Sequence, residues 1–183
     1  MRVGRIGGLL IVGGCALIPL VAVLGGSGPL GVDGHPDRDI SNPTKNAPFA
    51  LLGLGAAFLS VAGPEPLHGR GVRVGLGMLA VGLLSLLVSS IIPIPAGSND
   101  LQSWPYIIAG AVGLLATAGG TLVTVVSLVR VPGPPRVVGS LLLGGLLLFP
   151  FASILSVIGI FVGLMGIGVL AINGDRPATP NPG

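Results

Sequence analysis

The chain has 183 residues, 51% hydrophobic and only 8% charged, with a mean hydropathy of +0.96; a water-soluble domain carries about 25% charged residues, so that class is excluded. The net charge is +3 with basic residues scattered in ones and twos, which excludes a nucleic-acid binder, because such proteins gather basic residues on one face. A single cysteine, Cys15, excludes an intrachain disulfide, a CxxC motif and a cysteine zinc cluster.

Charge is absent from five windows, 6–32, 46–64, 74–99, 101–129 and 137–174, which are 27, 19, 26, 29 and 38 residues long. Roughly 20 apolar helical residues cross the hydrocarbon core of a bilayer. Four windows therefore hold one span each and the last holds two. The expected class is all-α: a polytopic transmembrane helical bundle of six spans, with five as the alternative.

The first span is expected over 6–24. Arg2 and Arg5 precede it as they would a signal peptide, and 22–27 (Ala-Val-Leu-Gly-Gly-Ser) offers small residues for cleavage. A signal h-region is only about 7–15 residues long, so an uncleaved helix is expected. The following loop, about 27–46, places Asp33, His35, Asp37 and Asp39 at alternate positions. Alternating oxygen ligands can wrap a cation. A calcium loop starting at Asp33 would need glycine where Arg38 stands and glutamate where Thr44 stands, so a solvated polar loop is expected. Asn42-Pro43-Thr44 is no glycosylation acceptor, because proline holds its middle position.

The second span is expected over 47–63, with Pro48 in its first turn and Pro64 stopping it. The third is expected over 74–92, closed by Pro93 and Pro95. The fourth is expected over 106–129, entered through Trp104 and Tyr106, whose rings suit the headgroup level. As one helix, 137–172 would be about 54 Å long, nearly twice the hydrocarbon thickness. Two short spans, 137–152 and 154–172, turning near 149–153, fit better. Residues 177–183 are expected to form a short disordered tail.

An ungapped internal match supports the sixth span. Residues 5–20 align with 136–151 at seven identities in sixteen, with arginine, glycines, leucines and proline coinciding; 73–79 echoes the same start. Three repeated hairpins, each opened by an arginine, are expected. Orientation follows the excess of Lys and Arg in cytoplasmic loops. With the N-terminus cytoplasmic, Arg2, Arg5, Arg70, Arg73, Arg130 and Arg136 lie inside, and only Arg38 and Lys45 outside. Arg176 joins the inside set if there are six spans. A cell-membrane location is expected.

Chemistry-bearing residues avoid the spans, which contain no Asp, Glu, Lys, Arg or His. Intramembrane ionisable residues are the usual proton relays and ion sites. His35 and His68 fall in loops, and Met1, Met78 and Met165 offer no paired ligand for haem. No catalytic residue, metal or cofactor is expected. The loops 67–73 and 130–136 read as topogenic charge, since each falls short of the 4–8 basic residues of a lipid-binding cluster. Gly75-x-Gly77-xxxx-Gly82 sits in an apolar helix, so it is no nucleotide loop.

Small residues one turn apart are the densest pattern: Gly4/Gly8, Gly53/Ala57, Ala109/Gly113, Ala116/Gly120, Ser140/Gly144 and Gly159/Gly163. That spacing lets helix backbones approach closely in lipid. Gly8, Gly13, Gly113, Gly120, Gly144, Gly159 and Gly163 are the expected helix-packing residues. Thr117, Thr121 and Thr124 share a face of the fourth span, and Ser85, Ser89 and Ser90 lie on the third; interhelical packing is their expected role. The expected function is a multi-pass membrane protein without enzymatic activity, a packing or accessory subunit of a membrane assembly. Its partners would be membrane lipids and other subunits or itself, and no nucleic acid. The alternative is a small permease for a neutral or lipophilic solute, using the threonine face and breaks at Pro19 and Pro150.

Overall fold

A computed structural model describes residues 3–24, 43–91, 104–148 and 154–174. Among them are six α-helices, a single-turn 3₁₀ helix and no strand: α1 (Val3–Leu24), α2 (Pro43–Ala62), the 3₁₀ turn Glu65–Leu67, α3 (Arg70–Ile91), α4 (Trp104–Val129), α5 (Pro134–Leu148) and α6 (Ile154–Gly174). The protein is therefore all-helical, and the long last window is two helices. The expected turn at 149–153, the Asp33–Asp39 loop, Pro93 and Pro95, and the tail 177–183 lie outside the described residues.

Three helices contain stretches long and apolar enough to cross a membrane: Val3–Leu20, Arg70–Val88 and Ile107–Val129. The apolar parts of the others, Ala47–Ala62, Pro134–Leu148 and Ile158–Gly174, are shorter. At 15 residues α5 reaches only about 22 Å, less than the roughly 30 Å hydrocarbon thickness.

Several boundaries differ from expectation. α2 begins at Pro43, so Pro48 lies inside the helix and not in its first turn. Proline's missing N–H breaks no bond within the first turn, and Pro43 takes that place instead. α1 runs through Pro19 without interruption, so the expected break there is absent. α3 starts at Arg70, four residues before the expected 74, because a charged first turn is free to sit outside the apolar stretch. Between α4 and α5 the chain reverses through Gly133, whose φ of 89° is one that side chains rarely adopt. Arg136 N–H then donates to Gly133 O (3.0 Å), and Pro134 and Pro135 occupy the first turn of α5.

Each helix packs on its chain neighbours, and α6 returns onto α1, which closes the six into a ring. The interior of that ring is filled by side chains. Ile11, Leu59, Leu76, Leu128, Leu142 and Ile167, one from each helix, are at most 1% exposed and belong to one continuous apolar cluster. Outside, large apolar side chains stand in the open, among them Leu115 (75%), Val61 (70%) and Leu147 (65%). A folded chain that shows so much apolar surface beyond a filled core suits an apolar solvent.

Candidate functional site: the glycine seams and the arginine end

The helices approach one another at glycines, and backbone atoms make much of the contact. Along the α3/α4 seam, a Cβ added to Gly75 would lie 2.6 Å from Thr124 N and 2.9 Å from Gly120 O, and would also strike Thr124 Oγ1. Seven residues on, one added to Gly82 would lie 2.9 Å from Gly113 O and against Thr117. The approach is reciprocal: at Gly120 a Cβ would lie 2.7 Å from Gly75 O, and at Gly113 it would lie 2.7 Å from Leu86 Cγ. Real Cβ atoms essentially never sit under 3.0 Å from such neighbours, so Gly75, Gly82 and Gly120, where the obstacle is backbone, admit only hydrogen, whereas at Gly113 the Leu86 side chain would have to shift.

The other two hairpins follow the same register. Two residues after its leading arginine, each first helix meets its partner: Gly7 against Gly55 and Leu59, Gly75 against Gly120 and Thr124, Val138 against Gly166. Nine residues after it, Gly14 meets Leu52 and the Pro48 carbonyl, Gly82 meets Gly113 and Thr117, and Gly145 meets Gly159 and Ile160. Six residues after it, Ile11, Leu79 and Leu142 are all buried in the core. A seven-residue spacing returns to nearly the same side of a helix after two turns, the period of left-handed helix pairing.

Of the expected packing glycines, Gly8 meets Gly168 and Ala171, Gly113 meets Leu86, Gly120 meets Leu79 and Gly75, Gly159 meets Gly145, and Gly163 meets Leu142. At Gly13 and Gly144, by contrast, an added Cβ would meet nothing within 4 Å among the described residues. Each is the first glycine of a Gly-Gly pair, and its successor, Gly14 or Gly145, makes the contact instead. Successive residues lie about 100° apart around a helix, so only one of the two can face a given neighbour. Sequence reasoning also missed Gly7, Gly75, Gly82 and Gly168. For Gly7, Gly75 and Gly82 the signal was a second glycine seven residues away, in the pairs Gly7/Gly14 and Gly75/Gly82.

The threonines serve their own helix first. Thr121 Oγ1 donates to Thr117 O (2.7 Å), and Thr124 Oγ1 donates to Gly120 O (2.8 Å), the back-bonding that short hydroxyls adopt inside helices. The hydroxyl of Thr117 is buried, and no described group pairs with it.

The contacts fix how the hairpins run. Gly4 of α1 lies against Ala62 and Pro64, and Gly14 against Pro48 and Leu52; Gly71 lies against Ser127, and Gly166 against Val138. The starts of α1, α3 and α5 therefore share one end of the bundle with the finishes of α2, α4 and α6. Arg5, Arg70, Arg73, Arg130 and Arg136 all stand at that end, and Lys45 begins α2 at the other. The corner 63–69 closes the arginine end: Leu67 is fully buried, and its 3₁₀ turn reaches across to α6. His68 Nδ1 pairs with Gly63 O at 3.0 Å. Arg73 reaches back to α2, donating from Nε to Ser60 O (2.9 Å) and from Nη2 to Val61 O (2.5 Å). The last carbonyls of a helix have no partner within it, and this guanidinium supplies two.

Among the described residues no three His, Cys, Asp or Glu side chains come together as a metal site. The chain matches no protein-family model, no curated protein and no solved structure.

Proposed function

We propose that the chain is an integral membrane protein of the cell membrane that crosses six times, with the arginine-bearing end cytoplasmic, and that it serves as a non-enzymatic packing or accessory subunit. One observation carries the reading: the ring interior is occupied by a continuous apolar core drawn from all six helices, while large apolar side chains cover its outside. A carrier needs a polar-lined route near the bilayer midplane, and here two of the three threonines that would line it, Thr121 and Thr124, bond back within α4. α5 is short for a full crossing. A locally thinned bilayer or snorkelling side chains accommodate a short span at modest cost, and Arg136 at its start is placed to snorkel. The shared register of the three hairpins supports their origin as repeats of one unit.

The test is purification of the tagged full-length chain in mild detergent after in-membrane crosslinking. The expected result is a stoichiometric second protein, or a homo-oligomer, on the outer apolar face. A lone monomer that conducts a neutral solute when reconstituted would overturn the accessory reading in favour of a permease.

A further inference from the structure

We propose that the arginine end binds anionic phospholipid headgroups, an inference that rests on the membrane reading above. In the sequence these residues stand at three separate places, each too sparse for a lipid-binding cluster. The fold gathers them at one end, and the total then falls within the 4–8 basic residues of juxtamembrane anionic-lipid sites.

Their side chains divide into two kinds. Arg73 is half-buried and committed to the Ser60 and Val61 carbonyls. Arg5, Arg70, Arg130 and Arg136 are exposed, with no ion-pair or hydrogen-bond partner among the described residues. The described acidic residue at this end is Glu65, so charge there is strongly one-sided. Each free guanidinium also stands near the start of the exposed apolar surface. Val3 and Leu9 flank Arg5, Val74 follows Arg70, Val126 precedes Arg130 and Val137 follows Arg136. A lipid presents the complementary pair, phosphate above acyl chain. Guanidinium forks match phosphate oxygens two at a time, and the apolar side chains meet the tail below. Free phosphate would gain only the first of these contacts.

The experiment reconstitutes the full chain into nanodiscs of phosphatidylcholine and phosphatidylglycerol at equal mole fraction, then quantifies the lipid retained through detergent extraction and purification. Wild type should retain phosphatidylglycerol over phosphatidylcholine by at least about fivefold, the factor expected from one arginine near a charged headgroup. The Arg5→Gln/Arg70→Gln/Arg130→Gln/Arg136→Gln variant should retain the two equally, and the corresponding four-lysine variant should recover most of the preference. Circular dichroism and melting in detergent establish that each variant is folded. Equal retention by wild type, an undiminished preference in the glutamine variant, or displacement of the lipid by millimolar glycerol phosphate would each overturn the proposal. Alkaline carbonate extraction separates the two readings. A chain released by carbonate fails the membrane reading itself, whereas one that stays in the membrane without lipid preference fails only this inference.

Discussion

Gly8 and Gly168 close the ring against each other: a Cβ on Gly8 would fall 2.7 Å from the Gly168 carbonyl oxygen, and one on Gly168 would fall 2.9 Å from that of Gly8. The first and last helices thus touch backbone to backbone. Overpacking a filled interior costs about 1–3 kcal/mol, and here the obstacle is main chain that cannot rotate away. Gly8→Ala and Gly168→Ala should each lower the melting temperature in detergent. If either variant melts with wild type, α6 does not seal onto α1 as described.

The open glycines should behave oppositely. Gly13→Ala and Gly144→Ala meet nothing and replace a poor helix former with the best one, a gain of up to about 1 kcal/mol. Both should melt at or above the wild-type temperature. A clear loss at either would mean that the position is covered by a partner or a second copy.

Gly163 packs against the buried Leu142, whose Cγ stands where a Cβ would go. Gly163→Leu should therefore lower thermal stability, whereas Leu164→Ile, a volume-conserving change at a partly buried neighbour, should shift it little. Equal melting of the two variants would refute the α5/α6 pairing.

Much of this arrangement was legible in the chain, and the part that was not has a physical reason. Gaps between charges located the helices, except within 137–174, where no charge separates α5 from α6. The arginine-led match of 5–20 with 136–151 marked equivalent helices. What the sequence hid was rotation about each helix axis. Gly13 and Gly14 are equally small, and only the fold distinguishes the one that meets Leu52 from the one that meets nothing. Gly75 and Gly82 were invisible as a pair to a four-residue template, since their partners Gly120 and Gly113 answer at a spacing of seven. The clamp from Arg73 to the end of α2 was also hidden, because nothing in a leading arginine distinguishes a topogenic charge from a carbonyl partner.

That clamp gives a further prediction. Removing the guanidinium leaves the Ser60 and Val61 carbonyls without this donor, and hydrogen bonds to a charged group contribute about 1.5–3 kcal/mol. Arg73→Ala should destabilise the protein more than Arg70→Ala, whose side chain is exposed. Arg73→Lys should recover only part of the loss, since an ammonium cannot reach two carbonyls with a planar fork. Thermal melting of the three variants decides it, and equal values for the two alanine variants would remove the clamp from the account.

Cys15 offers a probe already present in the chain. It is fully buried within the core, so a thiol-reactive maleimide should leave the folded protein unlabelled and modify it completely after denaturation in sodium dodecyl sulfate. Rapid labelling of the folded protein would mean that α1 is not seated in the ring.

The central claim is an even number of crossings with the arginine end in the cytoplasm, and topology reporters test it most directly. Paired cytoplasm-active and exterior-active reporters fused after Gly174 should show activity only from the cytoplasmic one, matching a reporter placed in the 130–136 turn. Activity of the exterior reporter after Gly174 would leave five crossings and contradict the six-helix membrane ring.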